Sequence, residues 1–145
     1  MVDMKLEVIV IPVSNVDRAT EFYKRLGWRQ DVTPPWVVQF TPHGSACSVQ
    51  FGTNLTTAAP GSAQRTYLIV SDVNAARNEL IAAGVDVSEV FHLGDNGPVG
   101  GPDPEHRTYR SFASFSDPDG NSWLLQEITT RLPGRIDSGE TSFRS

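Results

Sequence analysis

Apolar residues along the chain switch between two spacings, and they do so twice. Residues 6–13 (Leu-Glu-Val-Ile-Val-Ile-Pro-Val) are rich in β-branched side chains, as in a strand, and residues 66–70 (Thr-Tyr-Leu-Ile-Val) form a second such run. Each run leads into a short polar pair, Ser14-Asn15 or Ser71-Asp72, whose side-chain oxygens can accept from the unpaired amides of a first helical turn. The period then changes. Ala19, Phe22, Tyr23 and Leu26 fall at helical spacing, as do Val73, Ala76, Leu80 and Ala83, so each polar pair predicts a helix with one apolar stripe. Gly27 and Gly84 sit just past those stripes, where a residue free to take positive φ ends a helix.

Three short strands are predicted after each helix. The first half offers 28–32, 36–41 and 46–51, separated by Pro34-Pro35 and by Pro42-His43-Gly44. The second offers 85–93, 109–116 and 122–128, the last two joined by Asp117-Pro118-Asp119-Gly120, a turn sequence. The order is therefore βαβββ, repeated. A repeat of letters accompanies it: Val-Ser-Asn-Val-Asp-Arg-Ala at 13–19 matches Val-Ser-Asp-Val-Asn-Ala-Ala at 70–76, and Gly27 falls on Gly84 at the same offset. The expected organisation is one domain over 1–128, with module one at 5–52, a Thr, Ala, Pro and Gly linker at 53–64 and module two at 65–128. Residues 129–145 are expected to be a flexible tail or to drape over a neighbour. The stretch 94–107, with four Gly and three Pro, reads as a long loop of the kind that serves as a lid or binding loop.

Composition narrows the partners. A chain of 145 residues is the length of one domain. Twelve basic against seventeen acidic residues leave a net charge of −5, which argues against nucleic acid, whose phosphates are bound through Lys and Arg. A hydrophobic content of 39% with 20% charged residues is that of a globular protein. Cys47 stands alone, so no intramolecular disulfide is possible and a reducing compartment is expected. No run approaches the ~18 to 20 apolar residues of a membrane span. The acidic start Met-Val-Asp-Met-Lys-Leu-Glu does not read as a secretory signal. The expectation is a cytoplasmic protein whose partner is neither membrane nor nucleic acid.

The repeated βαβββ order, the opening segment 8–27 (Val-Ile-Val-Ile-Pro-Val-Ser-Asn-Val-Asp-Arg-Ala-Thr-Glu-Phe-Tyr-Lys-Arg-Leu-Gly) and the closing segment 115–127 (Phe-Ser-Asp-Pro-Asp-Gly-Asn-Ser-Trp-Leu-Leu-Gln-Glu) resemble the glyoxalase, bleomycin-resistance and extradiol-dioxygenase superfamily, also called vicinal oxygen chelate. The resemblance covers residues 5–128 and implies an α+β, glyoxalase-like fold in which two βαβββ modules form a curved mixed-sheet cup around a small-molecule site. It also implies a homodimer. Metal-using members of the family carry His, Glu or Gln ligands on the first and last strands of each module. Those positions fall here on Val8, Gln50, Arg65 and Leu124, a set that cannot hold a divalent metal. His43, His92 and His106 share no ligand spacing that would replace it. No metal and no other cofactor are therefore expected.

Strand parity extends the family-inward positions to a wider face. Val8 and Val10, Ser48 and Gln50, Arg65 and Tyr67, and Leu124 and Gln126 form the expected ligand-binding face, with Trp36 and Phe40 on the neighbouring strand and Tyr109 beside the long loop. Arg65, Tyr67 and His106 are the candidate catalytic groups: Arg65 as the cation for a carboxylate or enolate, Tyr67 as an acid or donor to a carbonyl, His106 as an acid or base closing over the pocket. Three function classes follow. One is a metal-free protein that binds or sequesters a small organic molecule, resembling the bleomycin-resistance branch. Another is a metal-independent lyase, isomerase or cyclase acting on a small carbonyl compound. The third, a metal-dependent lyase or dioxygenase, is opposed by the four mapped positions. Binding is favoured over turnover because no base stands beside the candidate oxyanion donors.

Overall fold

The computed structural model describes residues 1–133. The described chain divides into two compact units: residues 1–63 with the turn 117–121, and residues 64–116 with 122–133.

The first unit holds β1 (Val8–Val10), α1 (Val16–Arg25), β2 (Arg29–Asp31), β3 (Val37–Thr41) and β4 (Ser48–Gly52). Its sheet runs β1-β4-β3-β2, with β1 parallel to β4 and the other pairs antiparallel. Helix α1 starts where the sequence predicts, because the Asn15 side chain accepts from the Arg18 amide at 2.9 Å and satisfies one of the unpaired first-turn donors. Gly27, at φ +81°, follows its last turn. The apolar stripe of α1 lies on one face of the sheet. Tyr23, Phe40 and Phe51 are fully buried there, with ring centroids 5.6 to 6.1 Å apart, and Ile11, Ala19, Phe22 and Val49 complete the core.

The turn 117–121 belongs to this first core. The Tyr23 hydroxyl, which would be stranded among rings, donates to the Asp117 carboxylate at 2.9 Å. Asn121 donates to both Asp117 and the Pro12 carbonyl at 2.8 Å, and its own oxygen accepts from the Ala63 amide at 3.1 Å. Asp119 accepts from the Ser14 amide and hydroxyl and pairs with Arg18 at 3.3 Å. A Cβ at Gly61 would run into the Asp119 carbonyl, so only glycine fits that approach, and its φ of +83° agrees.

The second unit holds β5 (Thr66–Val70), α2 (Val73–Ala82), β6 (Phe91–Gly94), β7 (Gly97–Gly100), β8 (Ser111–Ser116) and β9 (Ser122–Glu127). Its sheet runs β5-β9-β8-β6-β7, with β5 parallel to β9. Asp72 caps α2 by accepting from the Ala75 amide at 3.0 Å, and after the helix the amides of Gly84 and Val85 donate back to Ile81 and Leu80.

Two predictions change here. Residues 94–107 are not one loop, because β6 and β7 form a hairpin with Gly94 paired to Gly97 around Asp95-Asn96. Gly and Pro hid it from propensity. Pro98 is tolerated because β7 is the outermost strand and Pro has no amide to lose there. Residues 85–90 make no ladder either, and only 91–94 of the expected strand 85–93 pairs, although Val85, Val87 and Val90 are buried. Past β9, Thr129, Thr130 and Leu132 are tied to Thr108 and Tyr109 by hydrogen bonds of 2.9 to 3.3 Å. The remainder of the expected tail, from residue 134, lies outside the described residues. Among the described residues no helix is long and apolar enough to cross a membrane.

Candidate functional site

The sheet register fixes which side chains share a face. In the second unit Ser114 pairs with Leu124, Phe112 with Gln126, Tyr67 with Leu124 and Phe91 with Phe112, so these residues lie on the face turned away from α2. Of the predicted grouping, Tyr67, Leu124 and Gln126 share this face by register, while Arg65 stands just before β5 and has no ladder partner.

A cavity of about 430 Å³ opens on it. Its apolar lining residues are Phe91, Leu93, Pro98, Phe112, Trp123 and Leu124; its polar ones are Ser114, Ser122 and Arg65. Phe91 and Phe112 stack with centroids 5.6 Å apart and planes 20° from parallel. The β6–β7 hairpin supplies Leu93 and Pro98, so the glycine-rich stretch does contribute to a pocket, as wall rather than as loose loop.

Arg65 is placed by strained backbone. Its φ is +60°, a left-handed conformation unusual for a long side chain, and its amide donates to the Ser122 hydroxyl at 2.7 Å. Ser122 donates onward to the Gln64 side chain at 2.9 Å. The guanidinium carbon lies 5.6 Å from the Tyr67 ring centroid, within cation–π range. Among the described residues no carboxylate forms a salt bridge with Arg65.

The remaining second-unit candidates are engaged elsewhere. Tyr67 shares the face but does not line the cavity. Gln126 donates to the Tyr109 carbonyl at 3.2 Å, and the Tyr109 hydroxyl accepts from the Leu132 amide at 3.2 Å, so both hold the chain after β9 in place. His106 is exposed, at φ +53°, and does not line the cavity. Its segment is held instead by Asp103, which is buried, donates its amide to the Ser111 hydroxyl at 2.9 Å, and accepts from the Arg107 guanidinium through both carboxylate oxygens at 3.0 Å. The hydrogen bonds and charge of Arg107 hold the Asp103 carboxyl well below the usual carboxylate range.

The first sheet has a different open face. Val8 pairs with Ser48, Val10 with Gln50 and Gln39 with Gln50, and Asp31 with Gln39, so these side chains lie opposite α1. The polar members bond to one another. Gln50 donates to Gln39 at 2.7 Å, Gln39 and Thr41 donate to one Asp31 oxygen at 2.8 and 2.6 Å, Arg29 to the other at 2.6 Å, and Thr41 meets Ser48 at 2.6 Å. Hydrogen bonds from Thr41, Arg29 and Gln39 hold the Asp31 carboxyl down at about 2. Here the expected site needs a correction: Phe40 is not on this face. The register pairs it with Val49, inside the α1 core, and Gln39 takes the outward position. Trp36 lies before β3, two-thirds exposed, outside the strand parity that linked it to Phe40. Cys47, half-buried, has its thiol pushed up by burial and by Glu7, which suits an inert side chain.

Sequence reasoning missed Phe91, Phe112, Ser114 and Ser122 on the cavity wall, and Asp31, Gln39 and Thr41 on the first sheet. Extending the parity of Leu124 onto its antiparallel neighbour would have found Ser114 and Phe112. The hairpin contribution carried no such signal.

A family model described as Glyoxalase/Bleomycin resistance protein/Dioxygenase superfamily matches residues 5–125. The chain belongs to that superfamily. Among solved structures of the superfamily's fold, TnmS3, an antibiotic binding protein from Streptomyces sp. CB03234, superposes with a TM-score of 0.68 at 28% identity, over 88% of this chain and 98% of that one. A glyoxalase/bleomycin resistance protein from the same organism gives 0.65 at 28% identity over 85% and 100%. A superfamily member from Sphaerobacter thermophilus DSM 20745 gives 0.63 at 25% identity over 86% and 98%. No curated protein matches the chain.

The metal-ligand positions that the resemblance implies fall on Val8 and Gln50 in module one and on Arg65 and Leu124 in module two, of which only Gln50 offers a donor atom that suits a metal. An alkyl group offers no lone pair, and a guanidinium brings a fixed positive charge. Among the described residues no three His, Cys, Asp or Glu side chains group as a metal site.

Proposed function

We propose that this superfamily member binds a small organic molecule, without a metal, in the cavity of its second sheet. The observation that carries the reading is the cavity itself: about 430 Å³, walled by stacked rings and aliphatic groups, with two serines and one arginine as its polar residues. That volume and that mixture are the usual make-up of a ligand pocket. The similarity to an antibiotic binding protein supports the same class. Binding is preferred to turnover because neither His106 nor Tyr67, the candidate acid or base groups, lines the cavity.

The test is to fill the pocket. Ser114→Trp, on its half-buried floor, should abolish the binding and thermal stabilisation given by a panel of aromatic and polyketide-like compounds, while circular dichroism stays that of the parent protein. Undiminished binding by this variant would place the site elsewhere. One tightly bound metal ion per chain in protein purified without added metal would overturn the metal-free part, and conversion of any bound compound would move the protein to the enzyme class.

A further inference from the structure

We infer that the cavity selects a flat aromatic carboxylate, its ring against Phe91 and Phe112 and its carboxylate on Arg65; this deepens, and rests on, the small-molecule reading above. Among the described residues Arg65 is the only charged group lining the cavity. No described carboxylate pairs with it, and Tyr67 steadies the guanidinium without consuming its N–H donors. A guanidinium presents parallel N–H groups that fit the two oxygens of a carboxylate in one plane. A phosphate dianion would need more positive charge than one arginine, and the rest of the lining offers none. A cationic ligand would be repelled.

The backbone supports the assignment. A left-handed arginine is strained, and such strain persists where surrounding structure holds it, often at binding sites. What holds Arg65 is the Ser122 hydroxyl on its amide at 2.7 Å, fixed in turn by Gln64. Ser122 is therefore a positioning residue: it sets where the guanidinium emerges at the cavity. The Ser114 hydroxyl, on the same face and bonded to no other described residue, is available as a further donor to the anion. The stacked pair of rings favours a planar ligand over a saturated one, because a flat π-system can lie against their faces or edges.

Calorimetry with benzoate, 2-naphthoate and 2-anthroate, each beside its neutral amide and its aminomethyl counterpart, tests this directly. The best-fitting carboxylate should bind at least ~tenfold more tightly than its amide, and the amine weakest. Arg65→Gln should erase that preference, and Arg65→Lys should keep only part of it. Ser122→Ala should lower the ratio of carboxylate to amide affinity several-fold, a pattern that general loosening of the fold, which weakens both alike, would not give. Amide or amine binding as tight as the carboxylate overturns the anion inference and leaves the pocket standing. Failure of every compound in the series, in a protein that Ser114→Trp also leaves unaltered in ligand response, overturns the pocket and the inference together.

Discussion

The two sheets show the same central order, a first strand parallel to the last, but they turn opposite kinds of surface away from their helices. On the first, Arg29, Asp31, Gln39, Thr41, Ser48 and Gln50 bond to one another in a connected network. On the second, stacked rings and aliphatic groups surround a cavity, and among the described residues no carboxylate pairs with Arg65. Under the helices both halves set a capped helix against buried strand residues, although α1 buries Ala19, Phe22 and Tyr23 and α2 only Val73. What the repeat preserves is the arrangement that folds, and where the halves differ is where the proposed binding would have its chemistry. A polar face whose groups bond to one another has less to gain from a ligand than an exposed cation at the edge of an apolar cavity.

The sharpest way to break this contrast is to cut into the shared part. Phe51→Ala removes a fully buried ring from the Tyr23, Phe40 and Phe51 cluster and should cost about 3 to 5 kcal/mol in chemical denaturation. Phe91→Ala removes a half-buried ring that already borders empty space, and should cost only about 1 to 2 kcal/mol. Equal losses would mean that the cavity wall is packed like the core, and that the two faces of the second sheet are not specialised.

The shared part was also the legible part. Caps at Asn15 and Asp72, the glycines after each helix and the apolar stripes are local signals, set by neighbours in sequence, and helices and most strands stand where those signals put them. Faces are decided by register, and there sequence was less reliable. Tyr67 and Leu124 share a face because β5 and β9 are regular and in register, while Phe40 was placed outward because β3 was counted from Trp36, which lies before the strand. The β6–β7 hairpin stayed hidden because its glycines and Pro98 weaken the propensity signal that an edge strand does not need. The polar ladder around Asp31 depends on contacts across three strands, and no spacing within one strand announces it.

The ladder itself sets the next largest effect. Asp31→Ala leaves Gln39 and the buried Thr41 hydroxyl without their common acceptor and should cost about 1 to 3 kcal/mol, read from a shift in the denaturation midpoint. Ligand affinity in the second sheet's cavity should not change. Reduced affinity without loss of stability would make the first face part of the binding site and end the contrast.

Acid sharpens the same point. Asp31 is held at about 2 in the fold, below the ordinary aspartate value near 3.9, so its contribution to stability is complete above the unfolded value and is lost as pH falls from about 4 toward 2. Asp103, lowered by Arg107, contributes in the same direction. Denaturation midpoints should therefore be flat from pH 7 to about 5 and fall below about 4, and Asp31→Asn should make that fall shallower without removing it. An unchanged acid limb in Asp31→Asn would show that the ladder does not favour the ionised carboxylate.

The smallest expected change is the most specific to the second face. Arg65→Gly removes the side chain and also relieves a left-handed backbone that costs an ordinary residue about 1 to 2 kcal/mol. Glycine's greater freedom in the unfolded chain takes back about 0.4 to 1 kcal/mol of that relief. The net effect on stability should be a gain of less than about 1 kcal/mol, or none, while the preference for an aromatic carboxylate over its amide disappears. That split, binding lost and stability kept, is what a strained residue retained for a ligand must give. If Arg65→Gly instead unfolds the protein at a lower denaturant concentration, the guanidinium and its rest on Tyr67 serve the fold, and the second face would have no more spare chemistry than the first.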